Sequence, residues 1–158
     1  MKTVTPLQRE LRQRRPFQSA AQECVVALLR TTDLMRRHTA AVVDAHGITA
    51  QQFNVLRILR GGGDEGLPTL EVADRMVEQT PGVTRLLDRL ETKGLVRRQR
   101  CPKDRRQHLC RITRQGLDLL ADLDAPVLSA AQESLKGLSA REQSELTRLL
   151  DAIRAAHQ

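Results

Sequence analysis

Apolar residues recur at helical spacing along most of this chain, and the segment that breaks the pattern, residues 95–112, constrains what the rest can fold into. Before it, Val83, Leu86, Leu87 and Leu90 keep i, i+3, i+4, i+7 spacing, with Gly94 just past the end. Within it, Leu95-Val96-Arg97-Arg98-Gln99-Arg100-Cys101 and Gln107-His108-Leu109-Cys110-Arg111-Ile112 flank a Pro102-Lys103-Asp104-Arg105-Arg106 turn. That reads as two short strands joined by a basic tip. After it, Thr113 opens a long helix with Leu117, Leu120, Leu123, Val127, Leu128, Ala131 and Leu135 spaced for burial and a bend expected at Pro126. One hairpin among helices predicts a mainly α (α+β) fold.

The remaining elements follow from their caps. Ser19 with Gln22 signals a long helix carrying Cys24, Val25, Leu28, Leu29, Val42 and Ala45 and ending at Gly47. Thr49 with Gln52 starts a shorter one, lined by Phe53, Leu56 and Leu59 and stopped at Gly61-Gly62-Gly63. Thr69 caps a third, with Leu70, Ala73 and Met76 on one side. Thr80 stands at the N-cap and Pro81 at the first position of the fourth, best-marked helix. Ser139 with Glu142 caps a last helix, striped by Leu146, Leu149, Leu150 and Ile153.

Charge is concentrated where the pattern breaks. Residues 79–116 hold 11 Lys/Arg against 3 acids, a local +8, whereas the whole chain of 158 residues is +7. A solvated basic protein would spread its charge, so this block marks a surface that meets phosphate backbones. Two short helices followed by a basic hairpin describe a winged helix-turn-helix, whose second helix enters the major groove while the hairpin reaches along phosphates or into the minor groove. On the helix from Pro81 to Lys93, the side opposite the leucines carries Pro81, Arg85, Asp88 and Thr92, with Gly82, Thr84 and Arg89 at its edges. Gly82 permits close backbone approach, Arg85 has the length to reach a guanine edge, and Gln79, Thr80 and Thr84 offer polar contacts. Arg89 has two rival uses, a phosphate or an intramolecular pair with Asp88, Glu91 or a neighbouring element.

Other function classes find little support. No phosphate-cradling glycine motif, HExxH or nucleophile elbow is present, so an enzyme is not expected. His38, His46, His108 and His157 are scattered, and no metal or other cofactor is expected. A hairpin without aromatics disfavours single-stranded RNA, and the local charge favours nucleic acid over a protein partner. The longest apolar run, Val25 to Leu29, is far short of the ~20 residues that span a bilayer, so no membrane segment is expected. An odd set of three cysteines without CxxC spacing, and a start that leads into no apolar stretch, point to the reducing cytoplasm.

The run Thr84-Arg85-Leu86-Leu87-Asp88-Arg89-Leu90-Glu91-Thr92-Lys93-Gly94-Leu95-Val96-Arg97-Arg98, then Asp104-Arg105-Arg106, then Ile112-Thr113-Arg114-Gln115-Gly116, resembles the multiple-antibiotic-resistance regulator (MarR) family. The resemblance covers roughly residues 17–157. It implies a winged helix-turn-helix with long N- and C-terminal dimerisation helices, in a homodimeric regulator, expected to be a repressor, that binds a pseudo-palindromic operator in double-stranded DNA. In that frame residues 1–16 are a basic arm without assigned structure or role, and 17–158 form a single domain. Its winged lobe spans 48–113, with 17–47 and 114–158 as the dimerisation helices. Lys103, Asp104, Arg105 and Arg106 fall in the wing, where the acid braces the loop and Arg106 matches the arginine that enters the minor groove. Cys101 departs from the pattern, standing where an aspartate often precedes the wing proline.

The resemblance further implies release by a small-molecule effector or an oxidant, at a site between the dimer region and the DNA-reading lobe. With Phe17 and Phe53 as the only aromatics, a pocket here would be mainly aliphatic with an Arg or His as anion partner. Cys24 lies near where peroxide-sensing relatives place a reactive cysteine, but the chain lacks their tyrosines, and burial in the core is the expectation to set beside sensing. Cys101 and Cys110 are expected to face each other across the hairpin.

Overall fold

The computed structural model describes residues 4–79, 81–101 and 108–157. In chain order the elements are α1 (Pro6–Glu10), α2 (Ala20–Asp44), α3 (Ala50–Gly61), β1 (Leu67–Pro68), α4 (Thr69–Asp74), α5 (Val83–Thr92), β2 (Val96–Arg100), β3 (His108–Ile112), α6 (Arg114–Ser134) and α7 (Ala140–Ala155). The strands form an antiparallel sheet of order β1-β3-β2, with Val96 opposite Ile112 and Arg100 opposite His108. This is the mainly helical fold with one hairpin that the periodicity predicts.

The caps explain where most helices begin. Thr49 Oγ1 accepts from the Gln52 N–H while Gln52 Oε1 accepts from the Thr49 N–H, and Ser139 with Glu142 closes the same reciprocal pair on α7. Ser19 accepts from the Gln22 N–H, although the Gln22 side chain turns to the Gln18 N–H instead of completing the box. Thr113 caps α6 by accepting from the Gly116 N–H at 3.1 Å. Gly116 is required there for space: a Cβ would lie 2.5 Å from the Leu95 carbonyl oxygen.

Two helix starts differ from expectation. Thr69 is the first residue of α4 rather than its cap, and its hydroxyl lies 3.6 Å from Cys110 Sγ. The fourth helix begins at Val83 and not at Pro81, because Gly82 at its N-cap adopts φ +95, outside the right-handed helical region. The cap expected at Thr80 lies outside the described residues.

One core binds these elements. Val55, Leu56 and Leu59 of α3, Val72 of α4, Leu87 and Leu90 of α5, Cys110 of β3, and Leu120 and Leu123 of α6 are almost fully buried together. The four apolar residues of α5 all point into it. On α4 the inward residue is Val72, while Leu70, expected inside, is 78% exposed. A helix of six residues is too short for spacing to choose its inner side.

The long helices behave differently. Of the 25 residues of α2 only Val43 is buried, and Val25 and Leu29 are exposed. α7 buries none of its residues, and its Leu149 and Ile153, like Leu128 of α6, are exposed large apolar side chains. α6 continues through Pro126 to Ser134. Residues 1–16, given no structure from sequence, include α1, fixed by a Thr5/Gln8 capping box, and Glu10 pairs with Arg30 of α2 at 2.8 Å.

Candidate nucleic-acid interface

α4 and α5 pack against each other, α4 against β1 and β3 and α5 against β2, so α5 and the β2–β3 pair are direct neighbours. The leucines of α5 face inward and, by helical geometry, turn Thr84, Arg85, Asp88, Arg89 and Thr92 outward. Gln79, Pro81 and Gly82, just before the helix, are exposed as well. The first-turn N–H groups, at the positive end of the helix dipole, lie next to Arg85. Thr80 and the wing candidates Lys103, Asp104, Arg105 and Arg106 lie outside the described residues.

The cations divide into two sets. Arg98, on β2, turns back onto α5: its backbone N–H donates to Glu91 Oε1 at 2.9 Å, and its Nε and terminal nitrogen donate to Glu91 Oε2 at 2.9 and 2.7 Å. The same terminal nitrogen is 2.6 Å from Asp88 Oδ1. Glu91 is held below its ordinary carboxylate pKa, first by the hydrogen bond from Arg98. Both acids of α5 are thereby engaged, and Arg85 and Arg89 make no side-chain hydrogen bond or ion pair among the described residues. Among the described residues Arg89 takes neither Asp88 nor Glu91 as an intramolecular partner. On the hairpin, Arg97 and Arg100 are exposed, and Arg111 donates to the Glu65 carbonyl and to Gln99. Arg98 was not singled out from sequence; its place two residues after the buried Val96, on the same side of a strand, was the signal.

A second feature lies behind this surface. A cavity of about 610 Å³ opens between α2, α3 and residues 76–78, the stretch that leads toward α5. Its walls combine Met35, Phe53 and Met76 with Arg36, Arg37 and Arg57 and the acids Asp44 and Glu78. The Arg57 guanidinium sits 5.8 Å from the centre of the Phe53 ring, within cation–π range. Arg36 pairs with Glu78 at 3.0 Å, and Asn54 Oδ1 accepts from the Val77 N–H at 2.9 Å.

The cysteines are placed otherwise than expected. Cys24 is exposed in the protomer rather than buried in a core, and Cys110 is the buried thiol, with burial pushing its pKa up. Cys110 pairs across the sheet with Arg98, and Cys101 lies beyond the end of β2, so the two do not face each other. Among the described residues no group of His, Cys, Asp and Glu is arranged to hold a metal ion. No helix among them is long and apolar enough to cross a membrane.

Comparison with known proteins points one way. The sequence profile of the MarR family matches residues 46–107, from just before α3 to just before β3. The transcriptional regulator MhqR of Bacillus subtilis is 30% identical over 121 residues, which cover 77% of this chain and 79% of that one. A MarR transcription factor from Planctomyces limnophilus is 41% identical with a TM-score of 0.67, covering 87% of this chain and 99% of that structure. Wild-type MarR from E. coli in its apo form superposes with a TM-score of 0.69 at 26% identity, over 88% of this chain and 98% of the other.

Proposed function

The chain belongs to the MarR family of transcriptional regulators, and from that premise we propose that it is a cytoplasmic, homodimeric repressor of transcription. Each protomer inserts α5 as its recognition helix into the major groove of one half of a pseudo-palindromic duplex, with the hairpin tip on the flanking backbone. The observation that carries this reading is that, among the described residues, Arg85 and Arg89 on the exposed side of α5 have no side-chain partner, while Arg97 and Arg100 are exposed on β2. Cations left without acids on one face have phosphate as their natural counter-ion.

Pairing of two copies is supported by the helices outside the lobe. Leu29, 66% exposed, and Leu128, 60% exposed, join Val25, Leu149 and Ile153 as exposed apolar side chains on α2, α6 and α7. A two-fold interface covers the same patch on both copies at once and sets two recognition helices one helical turn of DNA apart. Titrating a labelled duplex selected from a random pool, at several salt concentrations, tests the whole reading. Affinity should fall linearly on logarithmic axes, by about 0.9 per phosphate neutralised.

Release is assigned to the cavity between α2, α3 and residues 76–78. Its apolar walls and three arginines suit a small organic anion, and a carboxylate competing for Arg36 would loosen Glu78 and the stretch that leads to α5. The exposure of Cys24 favours a second reading, oxidative release through that thiol. Operator affinity before and after mild peroxide, in wild type and Cys24→Ser, separates the two: loss in the wild type alone assigns the signal to the thiol.

A further inference from the structure

Resting on the DNA-binding reading, we propose that Arg98 is a positioning residue: by bridging Asp88 and Glu91 it locks the β2–β3 hairpin to the recognition helix, so that both meet the duplex as one rigid unit. Val96 and Arg98 fall on the same side of β2, and Val96 is buried, so the strand delivers a guanidinium toward α5. A guanidinium only 24% exposed in its side chain is costly to leave unpaired, and α5 meets it with two carboxylates. Glu91 grips both the main chain and the side chain of Arg98, which fixes position as well as charge. The fork matters because one terminal nitrogen spans Asp88 and Glu91 while Nε holds the second line to Glu91; an ammonium has no such geometry.

The bridge also keeps the helix fit for DNA. Asp88 sits on the outward side of α5, three residues after Arg85 and next to Arg89. Without Arg98, Asp88 and Glu91 would be released to pair with those cations, and an uncompensated acid would face the phosphates. Loss of one residue that touches no DNA should therefore both free the hairpin and occupy the helix's contact groups.

Affinity measurement with hydroxyl-radical footprinting, on the duplex selected by the wild type, tests this. Arg98→Ala should bind about tenfold more weakly, with protection lost at the flanks reached by the hairpin before it is lost at the centre of each half-site. Arg98→Lys, which keeps the charge but not the fork, should resemble Arg98→Ala in its flank-to-centre ratio. Recovery of the wild-type ratio by Arg98→Lys, or a wild-type footprint from Arg98→Ala, overturns the clamp. Should Arg98→Ala not fold, Asp88→Asn keeps the Glu91 anchor and must still lower flank protection relative to the centre; an unchanged ratio overturns the proposal. If the wild type leaves every duplex unprotected, it is the DNA-binding reading itself that fails.

Discussion

The Thr113 hydroxyl donates to the Gly94 carbonyl at 2.7 Å, tying the N-cap of α6 to the chain just past the end of α5. The same oxygen accepts from the Gly116 N–H, and the Thr113 N–H donates to the Leu95 carbonyl at 3.0 Å, so one residue joins the reading lobe to the long helix behind it. The Thr-x-x-Gly spacing thus has a mechanical cause: the cap needs the threonine, and the close approach to Leu95 needs the glycine. Thr113→Ala should lower unfolding stability by about 1 kcal/mol through loss of the cap. Gly116→Ala, which forces a methyl group against a carbonyl, should cost roughly 1–3 kcal/mol. Urea unfolding of both variants gives the order directly, and a Gly116→Ala protein as stable as wild type would contradict it.

Arg85 and Arg89 should part company when tested across operator variants. Arg85, nearest the start of α5, is placed to read a base edge, so Arg85→Ala should cost about 1–3 kcal/mol and relax the preference at one position in each half-site. Arg89→Ala should weaken binding to all sequences alike and reduce the steepness of the salt dependence by about one ion per protomer. Exchange of these two patterns would exchange the assigned roles.

Acid should act on the hairpin through Glu91. Arg98 holds this carboxyl below its ordinary value of 4.5, so folding is favoured by the charged form. The stabilisation is complete above that ordinary value and is lost as pH falls through the lower folded one. Asp124, held down by the hydrogen bond from Arg60, adds a contribution of the same sign below its ordinary 3.8. Glu91→Gln should therefore flatten the decline of melting temperature between pH 5 and pH 3 (about the range these groups span). A decline as steep as that of wild type would show that the pair contributes nothing to acid stability.

The open apolar side chains of α2 and α7 predict the behaviour of charge insertions. Leu29→Glu and Ile153→Glu place a carboxylate where a partner protomer is to be buried, and should shift the protein toward monomer with little change in the fold of the lobe. Sedimentation velocity measures the shift. Affinity for a full palindrome should drop far more than affinity for a single half-site, because only the paired form uses both halves.

What the sequence makes legible here depends on how many turns or residues carry the pattern. α5, with four apolar residues over two turns, was readable along its buried side though not at its start, and the two hairpin strands were placed while their register was not, since Cys110 lies opposite Arg98 and not Cys101. α4 was not, because six residues let either Leu70 or Val72 face inward, and β1 was missed because two residues carry no alternation. The stripes on α2, α6 and α7 were visible, but periodicity cannot say whether a stripe meets its own core or another copy. The exposed cations of α5 were legible as a charge excess; that Arg98 is spent on Asp88 and Glu91 required the three-dimensional placement of β2 against α5.

The most direct test of the whole account is the stoichiometry and salt dependence of binding to a selected palindromic duplex, followed by sedimentation equilibrium. Two protomers per duplex, with log affinity falling linearly against log salt, is the result this arrangement predicts. A protein that stays monomeric and leaves the duplex free at low salt would contradict it.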